Sequence, residues 1–247
     1  MSAPAEPPAR CGELARVCAA VSAAVEGVFG TVAAVHAAAL RPTALTAFRT
    51  GRPVLDDDVR ELLRAPGQLA VGLGLVVAPR PDRELPLRLE WWQVDPDGGA
   101  LRTLEPDLKP SSLGYYDYTA TEWFDVPRRT GRRHLVGPYV DVHGTGRYLF
   151  TLTEPVLVDG EFAGVAGADV SVRRFEAHLL GLLGAHRMRL PVRFLLLNDE
   201  DRVVLSTAPR WPVGGRAERP ARLGPGTPLA GLPWRLHVVE DGDALSA

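Results

Sequence analysis

Aromatic and acidic residues are concentrated between residues 115 and 170, and this stretch is best suited to bind a ligand. It holds all five tyrosines of the chain: Tyr115, Tyr116, Tyr118, Tyr139 and Tyr148. Trp123 and Phe124 lie there too, and Asp169 belongs to the small-residue run 164–170 (GVAGADV). Aromatic rings that lie over a sheet can enclose a space, and their π faces attract cations when water is excluded. The stretch therefore predicts a small-molecule site.

Histidine, the residue most often used in acid–base catalysis, is scattered along the chain. The six histidines are His36, His134, His143, His178, His186 and His237. None belongs to a metalloprotease or deaminase motif, and neither a Gly-x-Ser-x-Gly motif nor a Walker-type phosphate loop occurs. His143 lies two residues from Asp141, which is a weak sign of chemistry by itself. We therefore expect a binding protein that is not an enzyme and uses no catalytic residues, metal or cofactor.

A short helix is expected to present the two largest aromatic residues. Asp117 or Thr119 can cap a helix that carries Trp123 and Phe124. Residues 127–131, which contain Pro, two Arg and Gly, are expected to end it. This helix would lie across one face of a sheet and close the space above it.

Strands are expected on both sides of that helix in the chain. Their predicted positions are residues 70–78, 87–94, 135–142, 147–158 and 161–172. The last three are joined by turn-like sequences at residues 143–146 and at Asp159-Gly160, so they should be antiparallel neighbours. In the first strand, Gly72 and Gly74 permit the close approach of other groups.

The alanine-rich stretch 15–40 is long and apolar enough to resemble a membrane segment or an export signal. Its larger apolar residues recur three and four positions apart, as Leu14, Val17, Val21, Val25, Val28, Val32 and Val35. This spacing is typical of the packed face of a helix, and alanine contributes little to membrane insertion. We therefore predict a long packed helix over residues 8–42 with no membrane partner, through which the chain could form a homodimer.

The remaining residues divide into two predicted lobes. Residues 43–183 form the first, ligand-binding lobe, and residues 184–247 form a smaller, abbreviated second lobe. The second lobe has predicted strands at 191–197, 202–206 and 234–240, and a long loop rich in Pro and Gly at 211–232. We expect no ligand in this lobe.

Composition narrows the classes of partner. The net charge is −2 and lysine occurs once, so the basic footprint of a nucleic-acid-binding protein is missing. Cys11 and Cys18 fall in one predicted helix about 10 Å apart, which is too far for a disulfide. Unpaired thiols favour a reducing compartment, and we predict a cytoplasmic protein.

Five motifs occur in an order and spacing that resemble the double Cache (dCache) sensor family, from about Leu14 to the end of the chain. They are Tyr116, Trp123-Phe124, Gly137-Pro138-Tyr139, residues 151–156 and residues 164–170. The resemblance implies an α+β fold in which a long N-terminal helix is followed by PAS-like antiparallel sheet lobes. It also implies ligand binding and signalling.

The resemblance also assigns site residues. In amino-acid-sensing members, aromatic and acidic side chains receive the ligand's ammonium group, and the matching positions here are Tyr116, Trp123, Tyr139 and Asp169. Phe124 takes a place usually held by an aromatic residue. The arginine that grips the ligand's carboxylate in the family, two positions before the tryptophan, is replaced by Thr121. Asp141 shares the strand face of Tyr139 and could add a second acid.

Thr121 decides which ligand the resemblance favours. A carboxylate in a pocket needs a charged or multiply donating partner, and threonine offers one hydroxyl. We therefore predict a sensor module for a small amine, which passes its signal to a separate output protein. Three alternatives stay open: an amino-acid binder that uses another cation such as Arg147, a structural or protein-interaction module with no ligand, and a sensor that is exported or anchored in a membrane.

Overall fold

The computed structural model describes residues 8–79, 87–95, 99–142, 146–185, 193–217, 223 and 226–239. The chain divides into two compact units. The larger unit is Glu26–Ser171, and the smaller unit combines Met1–Val25 with Val172–Ala247. This division falls within the first helix and before the last one, and the three predicted domains at 8–42, 43–183 and 184–247 stay a prediction.

The larger unit contains most of the regular structure. Its helices are α1 (Pro8–Ala39, whose first part belongs to the smaller unit), α2 (Ala44–Arg49), α3 (Asp57–Glu61) and α4 (Glu122–Thr130). Its strands are β1 (Ala70–Val77), β2 (Arg88–Val94), β3 (Leu101–Thr103), β4 (His134–Val140), β5 (Tyr148–Val158) and β6 (Glu161–Ser171).

These six strands form one antiparallel sheet in the order β3-β2-β1-β6-β5-β4. Each half is a run of three consecutive strands, and β6 returns to pair with β1 in the middle. The α+β prediction is confirmed, with a long N-terminal helix followed by antiparallel strands. Asp159 and Gly160 both have positive φ, 52° and 81°, as a two-residue hairpin turn requires. Residues 143–145 of the other predicted turn lie outside the described residues.

Helix α1 buries the face that its spacing predicted. Val17, Val21, Val25, Val28, Val32 and Val35 are all buried, and Leu14 is half-buried. Within the larger unit, the guanidinium of Arg133 lies 4.4 Å from the centre of the Phe29 ring and pairs with Glu26 (Nη1–Oε2 2.8 Å). By length and composition alone, residues Gly12–Ala39, with a mean hydropathy of 1.7, also meet the requirements of a membrane span.

Helix α4 has a different N-cap residue from the two predicted ones, and it ends within residues 127–131 as predicted. Asp117 caps a 3₁₀ turn (Tyr118–Ala120) instead, where its side chain accepts from the amide of Thr119. Thr121 is the N-cap residue of α4. The helix continues through Pro127 and stops at Gly131, which has a left-handed conformation (φ 63°) that glycine adopts without strain.

The smaller unit contains a helix and a second antiparallel sheet. Its described elements are α5 (Val172–Ala185), β7 (Arg193–Asn198), β8 (Val203–Ser206), β9 (Thr227–Pro228) and β10 (Trp234–Val239), with sheet order β8-β7-β10-β9. Phe175 of α5 packs edge-on against Trp234, with ring centres 5.7 Å apart. The short strand β9 falls in the region that the sequence predicted to be a loop.

Candidate ligand-binding site

A cavity of about 30 Å³ lies on one face of the larger sheet. Its lining residues are Val76, Leu89, Trp91, Leu104, Tyr116, Trp123, Tyr139, Asp141, Thr151 and Asp169. They come from β1, β2, β4, β5, β6 and α4, and from the irregular segments beside these elements. A space of this size holds one or two water-sized groups.

Asp169 provides the most deeply buried charge-bearing group of this lining. It lies on β6, opposite Gly72 of β1 and Thr151 of β5, and its side chain is 6% exposed. The Thr151 hydroxyl donates to Oδ1 at 2.7 Å, and the Trp91 indole nitrogen donates to Oδ2 at 3.0 Å. Both of these donors are neutral, so they satisfy hydrogen bonds of the carboxylate without cancelling its charge.

Glycines on β1 and β6 make room for the Trp91 indole. A Cβ atom at Gly72 would lie 2.8 Å from Trp91 Nε1 and 3.2 Å from Asp169 Oδ2. At Gly74 it would lie 2.5 Å from Trp91 Cε3, and at Gly167 it would lie 3.0 Å from the far end of the ring. Side chains at these positions would hold the indole off the sheet. The indole can therefore lie across β1 and reach Asp169 only because these positions are glycines.

A change of strand register turns Tyr139 toward the cavity. Val136 lies opposite Thr151, but Tyr139 lies opposite Leu149, so β4 contains one extra residue between these pairs. Strand side chains alternate between faces, and a bulge of one residue reverses that alternation. The Tyr139 side chain consequently shares the face of Thr151, and the two hydroxyl oxygens are 2.7 Å apart. Because Thr151 donates its proton to Asp169, Tyr139 is the donor in this contact.

The protonation states follow from burial. The pKa of Asp169 is raised to about 7, mainly by burial and also by the charge of nearby Asp141, while the hydrogen bonds from Thr151 and Trp91 and the charge of Arg147 act in the opposite direction. Burial also raises the pKa of Tyr139 and Tyr116, with added contributions from Asp169 and Asp141 respectively. Near neutral pH the two phenols keep their protons, and a neighbouring cation would favour the ionised form of Asp169.

Helix α4 is held to the sheet through a backbone carbonyl that the helix itself cannot use. Pro127 has no amide hydrogen, so the carbonyl of Trp123, four residues earlier, lacks its usual partner in the helix. Thr153 of β5 donates its hydroxyl to that carbonyl at 2.7 Å. The bond fixes the height of Trp123 above the sheet.

Five of the seven predicted site residues meet at this cavity: Tyr116, Trp123, Tyr139, Asp141 and Asp169. Thr121 does not line it, because its hydroxyl donates to the carbonyl of Tyr118 at 2.6 Å. Phe124 does not line it either. It is 1% exposed and packs against the rings of Tyr118, Trp123 and Phe162. That the five bind a ligand stays a prediction.

Sequence reasoning missed Trp91 and Thr151 as parts of the site. Because side chains alternate between the two faces of a strand, either Trp91 or its neighbours Glu90 and Trp92 must point to the cavity face of β2. In the structure Glu90 faces away and accepts from the amides of Val54 (2.6 Å) and Leu55 (3.3 Å). The available signal was the glycine pair 72 and 74, which marks where a large side chain can lie flat on the sheet.

Arg147 is the basic residue whose charge acts on the Asp169 carboxyl. Its Nη2 donates to the carbonyl of Val94 at 3.1 Å, and it does not line the cavity. Its charge nevertheless contributes to lowering the pKa of Asp169. Within the part of the chain that the structure describes, no three His, Cys, Asp or Glu side chains are placed to hold a metal ion.

Comparison with known proteins places the fold among sensor domains. No family model matches the chain. A stretch of 93 residues is 29% identical to the methyl-accepting chemotaxis protein TlpQ of Pseudomonas aeruginosa (strain PAO1), and it covers 36% of this chain and 13% of that receptor.

Three solved structures share the fold over most of the chain. The extracellular domain of histidine kinase soHK1S-Z6 has a TM-score of 0.61 at 15% identity and covers 92% of this chain and 91% of its own. Two ligand-binding domains of Pseudomonas aeruginosa PAO1 amino-acid chemoreceptors also match. PctB in complex with L-Arg has a TM-score of 0.56 at 14% identity, and the match covers 96% of this chain and 97% of that chain. PctC in complex with GABA has a TM-score of 0.53 at 16% identity, and the match covers 94% of this chain and 98% of that chain.

These matches correct one prediction and leave another open. The predicted cytoplasmic localisation is wrong, because the solved structures that share this fold include extracellular domains of histidine kinases and ligand-binding domains of chemoreceptors. Cys18 has a free thiol, which is compatible with either compartment. The assignment to the double Cache family stays an interpretation of the sequence motifs.

Proposed function

We propose that the larger unit is the ligand-binding module of a sensor outside the cytoplasm, and that its cavity binds the ammonium group of a small amine. The arrangement of Asp169 carries this proposal. Its carboxylate is buried at the cavity and accepts hydrogen bonds from two neutral donors of the described residues, Thr151 and Trp91. The rings of Trp91, Tyr116, Trp123 and Tyr139 lie around it.

Charge and ring geometry favour a cationic guest over a neutral or anionic one. An ammonium group beside Asp169 gains a counter-ion in a site from which most water is excluded. Cation–π attraction adds about 2 kcal/mol for a desolvated cation over a ring. A carboxylate in the same place would face Asp169 and Asp141, and no arginine or lysine is among the lining residues.

The size of the cavity restricts how the ligand enters. About 30 Å³ accommodates an ammonium head group and not the body of a larger molecule. Leu104 and Tyr116 belong to an irregular segment between β3 and the 3₁₀ turn that precedes α4. Such segments adapt more readily than strands. In our proposal this wall moves outward to admit the rest of the ligand.

An amino acid is the second candidate, and the likeness to amino-acid chemoreceptor domains favours it. Its ammonium group would occupy the same place beside Asp169. Its carboxylate would need Arg147, because the Thr121 hydroxyl already donates to the backbone of Tyr118. The guanidinium of Arg147 would have to leave the carbonyl of Val94 to do so.

A matched ligand panel tests the proposal. We would record thermal unfolding and calorimetric titration with propylamine, propanol, propionate, L-alanine and GABA. Propylamine is expected to bind and stabilise, by about 2.7 kcal/mol at a hundredfold excess over its dissociation constant. Propanol and propionate are expected to have no effect. Binding of propanol as tight as that of propylamine would refute recognition of the charge.

The Asp169→Asn variant supplies the matched control, since it keeps the shape of the side chain and removes its charge. It should lose most of the propylamine response. An unchanged response in the variant would show that Asp169 is not the counter-ion.

Signal output would pass to another polypeptide or another part of the receptor. The pairing of Arg133 with Glu26, and its contact with Phe29, connects the start of β4 to α1 within the larger unit. Tyr139 lies near the other end of β4, so a ligand that displaces this strand would also move the contact between Arg133 and α1. A homodimer formed through α1 remains part of this proposal, to be tested by sedimentation with and without propylamine.

A further inference from the structure

The smaller unit contains a cavity of its own, about 220 Å³ in volume. Its lining residues are Val203, Arg210, Trp211, Pro212, Gly215 and Arg216. All of them lie on β8 or on the segment that follows it. The sequence led us to expect no ligand in this part of the chain, because the second lobe is abbreviated.

Backbone hydrogen bonds hold the walls of this cavity in place. The amide of Val203 donates to the carbonyl of Gly215 at 2.9 Å, and the amide of Gly214 donates to the carbonyl of Val203 at 2.8 Å. The amide of Gly215 closes a turn on the carbonyl of Pro212 at 3.0 Å. The segment therefore pairs with β8 on one side and folds on itself on the other.

The charge at this cavity is positive. Nε of Arg216 donates to the carbonyl of Glu200 at 3.2 Å, and among the described residues no carboxylate pairs with its guanidinium. The neighbouring acids are engaged elsewhere, Glu200 with Arg202 at 3.3 Å and Asp201 with Arg235 at 3.8 Å. The terminal nitrogens of Arg216 therefore have donors to offer to an anion.

A flat apolar wall lies beside that charge. The Trp211 side chain is half-buried, and the guanidinium of Arg210 lies 5.4 Å from the centre of a Trp211 ring. Pro212, which is exposed, extends the apolar surface, and the lining also includes the buried side chain of Val203. An arginine fork next to an indole face and apolar side chains matches a molecule with one carboxylate on a planar apolar body.

We propose that this cavity is a second binding site, which takes a small aromatic carboxylate. The carboxylate accepts two hydrogen bonds from the terminal nitrogens of Arg216, and the ring of the ligand lies against Trp211. The volume suits a single six-membered ring with its acid group. This site is independent of the amine site in the larger unit, and either can exist without the other.

Titration of the whole chain with benzoate, followed by NMR of the tryptophan indole groups and by calorimetry, tests the proposal. Benzyl alcohol keeps the ring without the charge, and acetate keeps the charge without the ring. We expect saturable benzoate binding that shifts the Trp211 indole signal, and at least tenfold weaker binding of the other two. Absence of saturable benzoate binding, or equal binding of benzyl alcohol, would overturn the proposal.

Two arginine variants locate the site. Arg216→Gln should weaken benzoate binding at least tenfold. Arg173→Gln is the matched control, because Arg173 is exposed on α5 in the same unit and does not line the cavity. It should bind benzoate as the unaltered chain does. Equal affinities in all three proteins would show that Arg216 does not hold the ligand. An unchanged circular dichroism spectrum and an unchanged urea-unfolding midpoint of Arg216→Gln would confirm that the variant is folded.

Discussion

The indole nitrogen of Trp91 donates to a carboxylate oxygen of Asp169 at 3.0 Å, although the two residues are 78 positions apart and their strands are not neighbours. The strand between them, β1, carries glycine at the crossing point. The contact therefore depends on a missing side chain as much as on the two that meet. It also gives Asp169 a neutral donor in place of a cation, so the acid can still attract a charged ligand.

Gly72→Ala should disturb this contact directly. The new methyl group would lie 2.8 Å from Trp91 Nε1 and 3.2 Å from Asp169 Oδ2, so one of the two side chains must shift. We expect a loss of about 1–3 kcal/mol in the free energy of unfolding, typical of overpacking, together with weaker propylamine binding. Chemical denaturation and calorimetry measure the two effects.

Gly30→Ala is the control for that substitution. Gly30 lies on the exposed face of α1, and a Cβ atom there meets nothing within 4 Å. Alanine in a helix interior should stabilise by up to about 1 kcal/mol. If Gly72→Ala were as stable as this control and bound propylamine equally well, the close approach of Trp91 to the sheet would be wrong.

The structural features that were predicted correctly are those that depend only on neighbouring residues in the sequence. Val17 to Val35 repeat with a helical spacing, and a packed helix buries them whatever its partner is. Asp159-Gly160 is a two-residue turn whose composition dictates the hairpin. Neither inference needs to know which distant strand lies alongside.

The site residues that were missed or wrongly predicted from the sequence depend on pairing between distant strands or on competing local hydrogen bonds. Trp91 reaches Asp169 only because β1 pairs with both β2 and β6, in a register that no local pattern specifies. Thr121 occupies the position of a ligand-binding arginine in the resembling family, but a threonine hydroxyl readily bonds a nearby carbonyl, here that of Tyr118. Its side chain is therefore engaged before any ligand arrives.

Stability should depend on pH through Asp169. Burial raises the pKa of this carboxyl from 3.8 to about 7 in the folded chain. Between these values the folded protein holds a proton that the unfolded chain has released, so the free energy of unfolding falls as pH rises, by about 1.4 kcal/mol per pH unit. Above pH 7 the contribution is constant.

Urea unfolding of the unaltered chain and of Asp169→Asn at pH 5, 6, 7 and 8 isolates this contribution. The difference in stability between the two proteins should shift in favour of the variant from pH 5 to pH 7 and then level off. A difference that is flat over the whole range would show that Asp169 titrates at an ordinary carboxyl pKa.

Amine affinity should depend on pH in the opposite direction. Propylamine stays protonated over this range, and it binds the ionised form of Asp169. The apparent dissociation constant therefore varies inversely with the ionised fraction. With a pKa of about 7, affinity should rise about ninefold from pH 5 to pH 6, about fivefold from pH 6 to pH 7 and about twofold from pH 7 to pH 8. Calorimetric titration at each pH measures it, and affinity that is equal at pH 5 and pH 8 would contradict the role of Asp169.

The bond from Thr153 to the carbonyl of Trp123 should be coupled to Pro127. Thr153→Val removes the donor and leaves a buried carbonyl without a partner, which should cost about 1–3 kcal/mol. Pro127→Ala restores an amide hydrogen four residues after Trp123, so the helix can satisfy that carbonyl itself.

A double-mutant cycle tests this coupling by urea unfolding of both single variants and the pair. Thr153→Val should cost less in the Pro127→Ala background than in the unaltered chain. Equal costs in the two backgrounds would show that the proline does not create the need for Thr153.

Arg147→Gln separates the amine from the amino acid as the ligand. Arg147 attracts the Asp169 carboxylate and repels an ammonium group, so its removal should leave propylamine affinity at pH 8 unchanged or slightly stronger. An amino acid whose carboxylate relied on Arg147 would instead bind tenfold to a hundredfold more weakly.

Arg132→Gln, at an exposed arginine of the same unit, controls for the change in net charge. Calorimetry with propylamine and GABA on the three proteins gives the answer. If Arg147→Gln alone abolished GABA binding, and GABA bound the unaltered chain more tightly than propylamine, the ligand would be an amino acid held at both ends.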